Sequence, residues 1–561
     1  MTKIYPLNYL FLLKKSLSLS YVLLFSSLTF LLSCSSTLDP ETDQPTPTTP
    51  LPVAVAAKGY FLSKNGNDAN PGTKELPWRT LEKINSINLE PGETVYLEGG
   101  AIFQGTLLLD AEDSGTKQQP ITVTSYGIGV ATIEGGNKEA AIIKSNFFKL
   151  KALHAKGAGR KEGNTTNGIK VERASNGIIE EVTTEGFQKS GLLLYSCKNI
   201  EVIKVVAKHN GYSGIYVTGD YTLRGGKYLY PDKEEDCSRN ITLRGCTTDN
   251  NPGDPTLLDN HSGNGILVEF TKGALVDYCT ATNNGWDMPR TGNGPIGIWA
   301  ASSDSVIIQN CISYRNKTAP GAHDGGGFDF DGGVTNSIIQ YCLSYENQGA
   351  GYGLYQWNGA MDWDNNTVRY SISINDGINA YGGFTIWNES NDSREFRNAH
   401  IYNNIVYNTT SPAVVFFNPS NNEGFGLYNN IFIGQGQIVT GPTSGEKFLG
   451  NVYWPTPGNE LVFRGFNSLA TWAGATGQEK MDGKLIGIYT DPLLAGPFTT
   501  TLTDPYQLVK LGGYKLKPDS PLLNKGLDLQ SLMKLKVPTS DFFGNKIYQG
   551  ISPEPGVHEL N

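Results

Sequence analysis

SVIIQNCISYRN (305–316) and NSIIQYCLSYEN (336–347) are one pattern written twice, 31 residues apart. Four further segments fit it: NIEVIKVVAKHN (199–210), NITLRGCTTDNN (240–251), GALVDYCTATNN (273–284) and NTVRYSISIND (366–376). Aligned, they place Val205, Cys246, Cys279, Cys311, Cys342 and Ser371 in one column, and Asn210, Asn251, Asn284, Asn316, Asn347 and Asp376 in a second, five residues on. Intervals in the first column run 41, 33, 32, 31 and 29, with a shorter one of 23 from Val182 to Val205. The repeat is apolar and β-branched without helical spacing, so it predicts a solenoid of strands. Coils stacked at about 4.8 Å would pile small residues in one column and let side-chain amides hydrogen-bond along the other. Six cysteines follow Cys34, with neither paired C-x-x-C spacing nor histidine neighbours, which argues against zinc. A buried thiol stack is the plain reading, although rung spacing also permits disulfides.

Outside the repeat, Lys14 and Lys15 precede an apolar run from Leu17 to Leu32 that ends in Leu31-Leu32-Ser33-Cys34. This reads as a lipoprotein signal over 1–33, with lipidation at Cys34, and as an expectation of attachment to the outer membrane in the cell envelope, on its periplasmic or outer face. A membrane-spanning helix is the alternative. Residues 34–57 are rich in Pro and Thr and read as a tether, leaving 58–561 as the folded body. A formal net charge of −9 and the lack of a basic block argue against a nucleic-acid partner. The glycines of GAGYG and GNGPIG read as coil turns, not phosphate loops, and no nucleotide or haem signature appears.

The placement of the Asn column after an apolar strand resembles the right-handed parallel β-helix of the pectate-lyase-like superfamily. YFLSKNGNDANPGTKELPWRTLEKINSINLEPGETVYLEGG (60–100) is similar to the N-terminal cap and first coil of bacterial β-helix enzymes acting on polysaccharides. Residues 491–530 and DFFGNKIYQGISPEPGVHEL (541–560) are similar to their C-terminal segments. The resemblance implies an all-β solenoid with a C-terminal capping segment.

Extra residues enter after the Asn column, in NPGDPTLLDNHSGN (251–264), GWDMPRTGNG (285–294), KTAPGAHDGG (317–326) and QGAGYG (348–353). Loops added at one point of a solenoid emerge on one side and wall a groove. The strands that follow are SGIYVT, NGILVEF, IGIWAA, GGFDFD, YGLYQW, GGFTIW and PAVVFF. Alternation turns Phe328, Leu354 and Phe384 inward, with Phe330, Gln356 and Ile386. It turns Trp299, Asp329 and Tyr355 outward, followed by Glu269, Asp331, Trp357 and Trp387, with Trp357 beside Asp331. Rings flanking acids suit a polysaccharide or oligosaccharide, the rings stacking on pyranose faces while carboxylates reach the polar edges.

Asp329 and Asp331 lie about 6.6 Å apart along a strand, and Glu269 two coils from Asp331, about 9.6 Å away. At an effective dielectric near 20, two carboxylates about 6 Å apart repel by roughly 2.8 kcal/mol, enough to help keep one protonated. Glycosidic hydrolysis needs such a pair. Asp324, in the loop before, can swing over the same site. The plan also resembles lacto-N-biosidase-like and α-fucosidase-like hydrolases, which place catalytic aspartates on such coils. That Asp324 or Asp329 pairs with Asp331 is what this resemblance to β-helix hydrolases implies. Glu269, Trp299, His323, Tyr355, Trp357 and Trp387 are the substrate-binding candidates. Asp287 is weaker, and His323 reads equally as an ordinary loop histidine. No cofactor is required by this reading; calcium bound by the Asp-Gly-rich loop is an alternative. A calcium-dependent lyase would need Lys272 or Arg290 as base, since no aligned outward column holds Lys or Arg. A non-catalytic glycan-binding protein is the third class. A monomer is expected.

Overall fold

The computed structural model describes residues 59–560, except Asn391, Asn421 and Gln549. The readings of a signal over 1–33, of lipidation at Cys34 and of a tether over 34–57 lie outside the described residues. Among these no helix is long and apolar enough to cross a membrane.

Each repeat contributes three strands. The unit containing SVIIQNCISYRN supplies Asp304–Gln309, Ile312–Tyr314 and Gly326–Phe330. Every strand pairs in parallel with its counterpart in the next unit, which builds three long sheets of 14, 13 and 14 strands around one core. Residues 57–561 form a single compact unit, a parallel β-helix.

Both sequence columns are real stacks. Asn210 Nδ2 donates to Asn251 Oδ1 at 3.1 Å, and the chain continues through Asn284, Asn316 and Asn347 to Asp376 at 2.9 Å per step. The same oxygens accept the backbone N–H of the preceding rung, so each amide satisfies both its own rung and its neighbour's. In the other column Cys246, Cys279, Cys311 and Cys342 are free and buried, as are Cys197 and Cys237 outside it. Burial pushes the Cys246, Cys279 and Cys311 thiols well above their ordinary range. After Ser371 that column turns into a second amide ladder. Asn404, Asn430 and Asn451 each donate to the next oxygen, and the last step lands on the buried Glu479. The alignment stopped at Ser371 and missed it.

Inside the barrel Phe328, Tyr352 and Phe384 stack with centroids 5.3 Å apart at each step. This corrects the register of one strand. Phe328 is paired with Tyr352, Asp329 with Gly353 and Phe330 with Leu354, two residues away from the alignment that matched Phe328 to Leu354. A buried tyrosine is tolerated because its hydroxyl donates to the carbonyls of Cys342 (3.0 Å) and Ile372 (2.9 Å). Aromatic stacking then outweighs the simpler match of aliphatic to aromatic.

At the C-terminal end, helix Leu469–Thr476 is capped by Ser468, and its Trp472 packs on Phe448, Phe463 and Tyr453. The following chain lies along the flank. Leu494, Leu508, Tyr514, Leu522 and Phe542 cover the outward face of Ile312, Leu343, Ile372, Ile405 and Ile431. That cover is why short strands such as Ile312–Tyr314 are buried on both faces.

Replacing Asn316 by Ala removes the acceptor of the Asn284 N–H and amide and takes one of two donors from the Asn347 oxygen, all in the interior. The expected cost is about 3 kcal/mol. Calorimetry should show a lower melting temperature; an unchanged one would mean that the ladder is ornamental to stability.

Candidate active site

The outward face of the sheet containing Gly326–Phe330 carries the acids. Register along it runs Tyr216, Leu267, Trp299, Asp329, Gly353 and Thr385 in one column. In the next column Glu269 is paired with Ala301 and Tyr355 with Trp387, and the same register sets Asp331 between Ala301 and Tyr355. Phe328 and Phe330 are buried in the core and hold the strand so that its two aspartates face the groove.

Asp329 is only 1% exposed, and its Oδ1 has no hydrogen-bond partner. Desolvation, then the charges of Asp331 and Asp324, push its carboxyl well above the ordinary carboxylate range. Asp331 is partly exposed and accepts from the Gly332 N–H at 2.7 Å. Burial and the charges of Asp324 and Glu269 raise it to about 7 despite that bond. The pair is thus graded, with the deeper acid protonated and the shallower one titrating near neutrality.

Asp324 reaches the same place from the wall. Its backbone is left-handed (φ 61°), a strained setting for an aspartate. Three contacts hold it. The Gly294 N–H donates to Oδ2 at 2.8 Å, the Asp324 N–H donates to the Tyr381 hydroxyl at 2.9 Å, and that hydroxyl donates to Oδ1 at 3.4 Å. Burial raises its carboxyl too. Tyr381, in the loop after Asp376, was not among the sequence candidates, since a lone tyrosine in a loop carries no periodic signal.

The remaining candidates divide. Glu269 accepts from Tyr216 at 2.5 Å and is raised by burial. Trp299 is 3% exposed beneath the edge of His261, 4.9 Å away, and its indole N–H is unpartnered. Trp387 is partly exposed and meets Tyr355 edge-on at 6.3 Å. His323 is exposed on the loop, its N–H on Gly292 O. Asp287 pairs with Arg160 and Lys161, a tie between loops.

Trp357 is a correction. The shifted register pairs Tyr355, not Trp357, with Asp331; Trp357 lies past the end of the strand Tyr352–Gln356, its indole against Gly332. There it packs edge-on against Tyr228 at 5.3 Å. Tyr228 belongs to a hairpin of Thr222–Arg224 and Lys227–Leu229, inserted within the 41-residue interval. This hairpin crosses several rungs: Tyr221 stacks on Phe270, the Tyr228 N–H donates to Gly359 O at 2.9 Å, and Lys227 pairs with Glu395.

Of the two bases weighed for elimination, Lys272 lies on a different sheet, 4.6 Å over the Tyr230 ring. Arg290 is in the groove wall with a buried, unpartnered Nη1. Among the described residues no three His, Cys, Asp or Glu side chains converge as a metal site. Two surface concavities of about 640 and 500 Å³ lie elsewhere, lined by residues such as Arg394 and Glu423 in one and Arg173 and Arg239 in the other.

A family model described as the Pel9A-like right-handed β-helix region matches residues 60–422. The chain belongs to this family. Its relatives are carbohydrate-active enzymes of two chemistries. Pectate lyase L of Paenibacillus polymyxa (strain SC2) is 26% identical over 351 residues, covering 59% of this chain and 68% of that protein. Lacto-N-biosidase of Bifidobacterium longum subsp. longum is 24% identical, covering 87% of this chain and 35% of that protein, so the chain spans about a third of its length. Among solved structures, GH136 lacto-N-biosidase from Eubacterium ramulus shares 17% identity at a TM-score of 0.43, over 72% of this chain and 68% of that one. Pectate lyase Pel9A shares 16% at 0.40, over 91% and 98%. Membership of the Pel9A-like family agrees with the all-β solenoid and gives it its right hand; the chain is a carbohydrate-active enzyme of that group.

Trp357→Ala should lower stability by about 2 kcal/mol and speed hydrogen exchange across Thr222–Leu229, while oligosaccharide affinity stays unchanged. A loss of affinity with normal exchange would return Trp357 to the groove.

Proposed function

We propose that the protein is a glycoside hydrolase acting on a complex glycan, with Asp329 as general acid and Asp331 as the ionised partner. The observation that supports this most is the graded pair: Asp329 is buried with its carboxyl pushed well above the ordinary range, and Asp331 is partly exposed and raised to about 7. In this reading Asp329 gives its proton to the departing glycosidic oxygen as the C–O bond breaks. Asp331 acts from its carboxylate, on the anomeric carbon or on a water. Asp324, fixed by Gly294 and Tyr381, lies close enough that its charge, when present, pushes both aspartates up. Trp387 is partly exposed and offers a ring to stack on a sugar.

β-Elimination is the second reading. The unpartnered Arg290 in the wall and the lyases among the relatives favour it. Hydrolysis is preferred because an arginine must lose its proton to act as a base, whereas depth and neighbouring charges set the two aspartates apart in the direction an acid and its partner need. Calcium enters as an outcome to be measured. Lipid attachment at Cys34, and with it an outer-membrane location, is proposed from the sequence and is read by mass spectrometry of the mature N-terminus.

Asp331 must be ionised to act, so turnover should rise as pH increases through about 7 and fall again where Asp329 loses its proton. Asp331→Asn should lower kcat by about 10³-fold with folding intact. Products identified by mass should be one water heavier than the cleaved glycan. Unsaturated, ultraviolet-absorbing products would sink the hydrolase assignment in favour of elimination. A chelator should leave the rate unchanged, and loss of activity restored by calcium would place a metal in the reaction.

A further inference from the structure

Tyr355 reads from sequence as a platform for sugar, yet its ring is 6% exposed. What occupies it is an arrangement with its neighbour in the strand. A Cβ placed on Gly353 would lie 2.7 Å from Tyr355 Cζ, 2.8 Å from its Cε2 and 3.0 Å from Asp329 Oδ1. The ring therefore folds back along its own strand over Gly353, and ring and carboxylate share the space that a side chain would take. Elsewhere in the column the outward positions carry Trp299 before the acid and Thr385 after it, so Gly353 is the gap. Trp387 meets the ring edge-on, with centroids 6.3 Å apart.

We propose that Tyr355 is a positioning residue for Asp329, and that Gly353 exists in this chain to let it act. The inference rests on the hydrolase reading for its chemistry. When Asp329 gives up its proton, its Oδ1 becomes a charged oxygen that the protein otherwise leaves unpartnered in a buried site. The phenol then supplies a hydrogen bond to that oxygen. No proton is transferred from the tyrosine; the proton lost by Asp329 leaves on the sugar oxygen. Burial and the surrounding charges of Asp324, Tyr381, Asp329 and Asp331 keep the phenol neutral, as a donor must be.

Tyr355→Phe keeps the ring and removes the donor. The expected result is a fall in kcat of about ten- to a hundredfold with KM within about twofold, as for a lost bond to a charged group. A hydrogen bond to the charged form lowers a carboxyl's pKa, so its loss should move the alkaline limb of the pH profile up by about one pH unit. The same shift is to be read without turnover, by infrared titration of the protonated carboxyl band, assigned with Asp329→Asn. An unshifted band in Tyr355→Phe overturns the inference whatever the reaction proves to be. The chemistry of the wild-type products separately decides the hydrolase reading. Gly353→Ala should match or exceed the loss, and adding Tyr355→Phe to it should cost little more. Full additivity would show that the two residues act apart.

Discussion

The buried amide ladder is the constraint on which the rest depends. Parallel rungs give each other regular backbone bonds, but the corners between sheets leave N–H groups with no strand to meet them. Asn210 to Asp376 solve this at one corner, each side chain answering the backbone of the rung before it. Asn404 to Glu479 take over at another corner where the thiol column ends. Because each amide must meet the next within hydrogen-bond reach, rung cannot slip against rung, and a groove residue's neighbour is fixed by register alone.

That fixed register creates the site. Alternation along a strand would by itself put Asp329 and Asp331 on an open face. Loops admitted after the Asn column, together with Tyr355 folded over Gly353, bury one acid and leave the other reachable. Two residues of one kind, two positions apart, thereby acquire different proton affinities, from depth first and then from neighbouring charges and the Gly332 N–H.

Much of this was legible in the sequence. The repeat, both columns, the inward phenylalanines and the outward aspartates follow from spacing and alternation, and the neighbours Trp299 and Glu269 fall where the alignment puts them. The failure at Tyr352 has a definite cause. The parity of Tyr352 is inward like that of Leu354, but the two carbonyls that let a polar-tipped ring pair with Phe328 come from other rungs and cannot be seen in one segment, so the strand was set two residues off. Trp357 failed with it. The hairpin that covers it was hidden inside a long interval that showed only as extra length. Tyr381 and Gly353 were invisible for a different reason: one acts through a contact 57 residues away in the chain, the other through an absent side chain.

A solenoid couples each rung chiefly to its neighbours, which would let it fray from either end. Here the chain beyond residue 490 runs against Ile312, Leu343, Ile372, Ile405 and Ile431, one from each of five successive rungs, and the Tyr228 hairpin bridges others. Such lengthwise battens turn a one-dimensional stack into a body that must melt across those rungs together. They also hide an apolar sheet face that, if uncovered, would be ready to adhere to another copy of itself.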